Sequence, residues 1–138
     1  MFIQDMELKD LVGLHQLLGV DMTNEEIQSE WGDYFENCET ISFTLDKKTY
    51  TAIEDPDDGY RSAMKEIKES KATIRNKFSP VEVIGIMRLN DSDEIIDFYD
   101  IKTGKIILSI GTHNYDDYYP MFVAEFTPEN MIINNNLG

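Results

Sequence analysis

The sequence predicts a single α+β domain, mainly antiparallel β, built as a bent sheet or a small open barrel with one covering helix at about residues 56–70. Three observations point there. Apolar residues alternate with hydroxyl-bearing ones through residues 40–54, and a second pair of apolar runs flanks a turn within 94–110, which is the pattern of two β-hairpins. Further short runs rich in β-branched and aromatic residues occur at 81–89 and 121–126. Between the hairpins, Asp55-Pro56-Asp57-Asp58 opens a stretch in which Tyr60, Ala63, Met64 and Ile67 fall at i, i+3, i+4 and i+7, one stripe of a helix.

Taken in order, Leu8, Leu11, Val12, Leu14, Leu17 and Leu18 lie near helical spacing and predict a helix over 6–18. Gly13 and Gly19 weaken it, so an extended strand through 11–21 is the rival. Thr23 followed by Glu26 resembles a capping box and suggests a short helix over 24–31. Trp31, Tyr34 and Phe35 in that acidic stretch are either satellite core or an exposed, sticky surface. In the first hairpin Ile41, Phe43 and Leu45 alternate with Ser42 and Thr44, Asp46-Lys47-Lys48 turns, and residues 49–53 return. One face is apolar and the other hydroxyl-rich.

At 55–58 an aspartate N-cap, a first-turn proline and two more aspartates match the exposed N–H groups and positive dipole end of a helix. Residues 70–78 are a linker or a frayed continuation, closed by Ser79-Pro80. In 81–89, Gly85 marks a bulge or a close approach. The second hairpin pairs 94–100 with 105–110, and Gly104 supplies the positive φ its turn needs. Residues 111–120 form a polar aromatic loop, and 134–138 a frayed tail.

The totals fit one domain spanning residues 1–138. No apolar run approaches the roughly 20 residues that span a bilayer, and the acidic start does not resemble a secretory signal. The single cysteine, Cys38, fits a reducing, cytoplasmic setting. A net charge of −15 disfavours direct binding to nucleic acid or an anionic membrane and favours a protein with a basic surface. Self-association is left open. The charge is unevenly spread: residues 60–77 hold six basic residues and two acids, a net of +4. The rest of the chain carries −19.

No pattern identifies a catalytic residue, metal or cofactor. Setting Gly59 sixth in a calcium loop places Pro56 third and Lys65 twelfth, where oxygen ligands belong. Phosphate-binding glycine loops, nucleophile elbows and paired zinc-binding histidines are missing. Cys38 sits among acids, which raise a thiol's pKa and blunt it as a nucleophile. Two segments remain as binding candidates. The first is Asp55, Asp57, Asp58, Tyr60 and Arg61. The second is His113, Asp116, Asp117, Tyr118 and Tyr119, a tyrosine-rich loop suited to contact. They are expected to lie close together at element ends, with Arg61 either paired to the neighbouring acids or holding an anion.

Residues 53–62 (IEDPDDGYRS) and 110–123 (IGTHNYDDYYPMFV) resemble a family of small, acidic, uncharacterised bacteriophage and prophage proteins. The two stretches cover about a sixth of the chain. The resemblance implies a context rather than a chemistry, because small accessory phage proteins often disarm host defences. Two functions are then expected. One is a non-enzymatic inhibitor whose carboxylates stand in for phosphates on a host nucleic-acid-handling protein. The other is a sink for a nucleotide or another small anionic ligand.

Overall fold

The computed structural model describes residues 6–28, 35–56, 63–114 and 120–128. A 3-10 turn at Leu8–Leu11 precedes eight strands: β1 (Gly13–Gln28), β2 (Phe35–Leu45), β3 (Lys48–Glu54), β4 (Met64–Ser70), β5 (Lys77–Met87), β6 (Glu94–Asp100), β7 (Ile106–His113) and β8 (Met121–Phe126). All belong to one sheet in the order β4-β3-β2-β1-β5-β6-β7-β8. Every pairing is antiparallel. Two four-stranded meanders, β1–β4 and β5–β8, are joined by the pairing of β1 with β5. Leu17 lies opposite both Leu45 of β2 and Val81 of β5.

The sheet curls around one core. Edge strands β4 and β8 come near each other without a ladder between them. The Met64 N–H at the head of β4 donates to Thr112 Oγ1 near the end of β7 over 3.1 Å. Leu17, Phe43, Leu45, Phe98, Leu108 and Ile110 fill the interior, with Leu8 and Leu11 of the 3-10 turn packed among them. The Phe43 ring lies 5.7 Å from Tyr50 and 6.2 Å from Phe98, so aromatic contact ties the two meanders together. Each such fully buried side chain contributes about 1.5–3 kcal/mol.

The covering helix is corrected. Among the described residues no helix reaches even two turns, and residues 64–70 are the edge strand β4. Ile67 lies opposite Ala52, and Lys68 and Ser70 lie opposite Thr51 and Thr49. The helical stripe misleads because Met64 and Ile67 do pack on the core, but from a strand that satisfies the open edge of β3. That pairing outweighs the helix propensity of the Lys and Glu residues around them. Residues 57–62 lie outside the described residues.

The helix over 6–18 is likewise replaced by the 3-10 turn and β1, as the rival reading had it, and residues 24–28 continue β1. Ser79 and Pro80 do not end a segment but sit inside β5. Proline is tolerated there because β5 pairs with β6 only from Val83 onward, leaving that side of the strand open. Residues 71–76 cross back from β4 to β5. They are clipped to β1 by Asp21, whose carboxylate accepts the Arg75 and Asn76 N–H groups at 2.6 and 2.9 Å.

The first hairpin has the expected two-faced character. Ser42 bonds Thr51 at 2.7 Å and Thr44 bonds Thr49 at 2.9 Å, while Phe43 and Leu45 are buried. Its turn has only two central residues, Asp46 and Lys47, with φ of 55° and 92°. Two positive φ values in succession suit the twist of a two-residue hairpin, and Asp-Gly is the preferred pair. Lys47 therefore carries local strain of about 1 kcal/mol that glycine would not. Lys47→Gly is expected to raise the thermal midpoint by a few degrees. An unchanged or lowered midpoint in a calorimetric scan contradicts this turn geometry.

Candidate functional site

Of the expected site residues, His113 lies in the best-connected polar cluster. It is the last residue of β7, and its Nδ1 donates to Asp93 Oδ1 over 2.6 Å. The Asn114 N–H reaches the same oxygen at 3.1 Å. The second Asp93 oxygen accepts from Arg88 Nη1 at 3.3 Å and Asn90 Nδ2 at 3.4 Å. Arg88 also grips Asp97 with both Nε and Nη2, at 3.0 and 2.8 Å, and Ser109 Oγ donates to Asp97 Oδ1 at 2.7 Å. Sequence reasoning missed these partners. It coupled His113 to the adjacent Asp116 and Asp117, whereas Asp93 and Arg88 come from the β5–β6 connection.

The electrostatics of this cluster follow from geometry. Burial pushes the Asp93 carboxyl up, but the Asn114 N–H, the His113 contact and the Arg88 guanidinium together outweigh it and hold the group below its ordinary value. Arg88 is raised above its ordinary value, first by its hydrogen bond to Asp97. Both carboxylates are satisfied, and among the described residues no buried side-chain polar atom lacks a partner. A saturated network of this kind is an anchor for the chain at residues 113–114. It leaves Arg88 committed to two aspartates, which removes one of the chain's three arginines as a phosphate fork.

Asp55 is half-buried where the chain leaves β3, and its N–H bonds the Ala63 carbonyl at 2.8 Å. Asp57, Asp58, Tyr60, Arg61, Asp116, Asp117, Tyr118 and Tyr119 lie outside the described residues. Their described flanks do meet: Met64 follows the first segment, Thr112 and His113 precede the second, and Met64 and Thr112 share a hydrogen bond. Cys38 is buried. Burial pushes its thiol up, and Glu54, Glu36 and Asp55 add to that, consistent with an inert side chain.

Two other features emerge from the fold. A groove of about 550 Å³ is lined by Gln16, Ser79, Pro80, Val81, Glu82, Asp100 and Lys102, with more negative than positive charge. The second is the distribution of acids. Residues 10–46 contain nine Asp and Glu and no Lys or Arg. Among the described residues, Asp21, Glu25 and Glu26 of β1 and Glu36 and Glu39 of β2 concentrate negative charge on two paired strands. The basic residues Lys65, Lys68, Lys71, Arg75 and Lys77 collect instead on β4, the crossover and the start of β5. Counting residues between the flanking Lys9 and Lys47 finds this polarity in the sequence, and the fold shows that β1 and β2 carry it side by side.

Among the described residues no group of three or more His, Cys, Asp or Glu side chains is placed to hold a metal. No helix there is long and apolar enough to cross a membrane. No protein-family model, curated protein or solved structure matches the chain.

Asp93→Ala strips an acceptor from four donors. It is expected to cost about 2–3 kcal/mol, somewhat below a fully buried pair because Arg88 stays partly open to solvent. Denaturant unfolding checks this, and a loss under about 0.5 kcal/mol contradicts the anchor. The pH dependence has a definite sign. The Asp93 and Asp46 carboxyls are held below the ordinary value of 3.8 in the folded state, so their contribution is fully present above pH 3.8. It is lost as the pH falls from 3.8 through the lower folded values, and Asp93→Ala flattens that acid limb.

Proposed function

We propose that the protein is a non-enzymatic inhibitor that binds a host nucleic-acid-handling protein through its acidic surface, setting carboxylates where phosphates would lie. The observation that carries this reading is the span of residues 10–46, nine acids with no Lys or Arg, in a chain of net charge −15. The resemblance to small phage proteins supplies the setting, that of a host cell's cytoplasm. Asp55 and His113, together with Asp57, Asp58, Tyr60, Arg61, Asp116, Asp117, Tyr118 and Tyr119, are further proposed contacts. A charge field of this strength speeds encounter with a basic groove and rejects acidic partners.

The sink for a small anionic ligand is the lesser reading. The 550 Å³ groove sets Glu82 and Asp100 against Lys102, an unfavourable balance for an anion, and Arg88 is already engaged. Capture from a host lysate separates the two. The inhibitor reading expects a nucleic-acid-binding protein to be retained at low salt and released at about 1 M, where the screening length falls to about 3 Å. Recovery of no such protein at low salt, or retention that ignores salt, overturns it. A bound compound absorbing near 260 nm in the purified protein would favour the sink.

A further inference from the structure

The inference concerns where the partner is held, and it rests on the inhibitor reading above. Strand β2 pairs with β3 only from Thr40 onward, and β1 pairs with β5 only as far as Gly19. Residues 24–28 of β1 and 35–39 of β2 therefore ladder only with each other, in unbroken register from Asn24↔Glu39 to Gln28↔Phe35, and the Glu39 N–H also donates to Glu54 Oε1 of β3 at 3.1 Å. They form a two-stranded ribbon at one end of the sheet, exposed at most of its positions but buried at Cys38. Like-charged residues are placed diagonally on both of its faces. Glu26 lies opposite Asn37, two residues from Glu39, and Glu25 lies opposite Cys38, two residues from Glu36. Diagonal neighbours are about 7–8 Å apart and repel when both are charged. None of the four has an ion-pair partner among the described residues.

The face that bears Glu26 and Glu39 also bears Met22 and Phe35, since residues two apart along a strand share a face. Met22 is 53% exposed and Phe35, at the far end of the ribbon, 58% exposed. Carboxylates and an open aromatic ring on one narrow ribbon match a particular kind of groove. Grooves that hold a single nucleic-acid strand combine cations that track the backbone with aromatic platforms on which bases stack.

We propose that this ribbon is the docking element, and that it enters the positively charged groove of a protein that otherwise holds a single nucleic-acid strand. Glu25, Glu26, Glu36 and Glu39 take the place of phosphates there, and Phe35 takes the place of a stacked base. Binding would also relieve the repulsion that the free ribbon carries.

Displacement of a fluorescent oligothymidine from a purified OB-fold single-strand-binding protein tests this at low salt with the full-length chain. The wild type is expected to displace the oligonucleotide. The E25Q/E26Q/E36Q/E39Q variant should need at least about tenfold more protein, and Phe35→Ala a comparable excess. A control with four exposed charges removed elsewhere, E69Q/E82Q/D91N/E125Q, should stay within about threefold of wild type. Circular dichroism and thermal melting of each variant report folding separately. Neutralising the ribbon should leave the midpoint unchanged or raise it. If the control weakens displacement as much as the ribbon variant, the ribbon assignment falls while the acidic-surface reading stands. If the wild type leaves the OB-fold groove untouched but binds a basic duplex-DNA-binding protein, the single-strand groove falls and the broader reading stands. If it binds neither, both fall.

Discussion

Everything in this structure depends on the pairing of β1 with β5, because that pairing makes one sheet out of two meanders. Two local devices secure it. At Gly85 a Cβ atom would stand 2.8 Å from both the Leu11 carbonyl oxygen and a Phe98 ring carbon, so the bare backbone lets the 3-10 turn and Phe98 close on the seam. At Gly19 a Cβ would meet the Ile74 side chain at 2.7 Å, so the crossover from β4 lies directly on β1. Between them the register shifts at Leu18, and Leu17 and Val20 both end up buried although they are three residues apart. The two meanders then share Phe43, Phe98 and the leucines around them as one core.

Much of this pairing was hard to see in the sequence. Leu8 and Leu11 are three apart in a 3-10 turn and Leu14 and Leu17 continue that spacing into β1, where Leu14 is 70% exposed, so residues 6–18 look helical until the partner strands are known. Residues 64–70 deceive because remote partners make them a strand, chiefly β3, with Met6 bridging Ile67, while their own Lys and Glu residues favour a helix. Hairpins with local turn chemistry are legible. The Asp46-Lys47 turn, the 100–104 turn with Gly104 at φ 72°, and β8 at 121–126 lie where the turn residues and β-branched runs place them.

The candidate site is legible only in part. His113 stands out by residue type and neighbourhood, but its real partners, Asp93 and Arg88, are remote and carry no motif. Acidity is visible from composition alone, yet composition does not show that β1 and β2 carry it on paired strands. It also does not show that Phe35 and Met22 stay open there. The segregation has a counterpart: the exposed lysines on β4 and on the crossover protect a sheet edge from pairing with other chains. The basic region thus guards an edge.

Cross-strand nuclear Overhauser effects from Leu17 test the central claim most directly. The structure predicts contacts from Leu17 to both Leu45 and Val81 in the same sample, with extended backbone shifts through residues 64–70. Contacts to only one of those partners, or helical shifts at 64–70, would contradict the single sheet on which the fold and its two-stranded ribbon both rest.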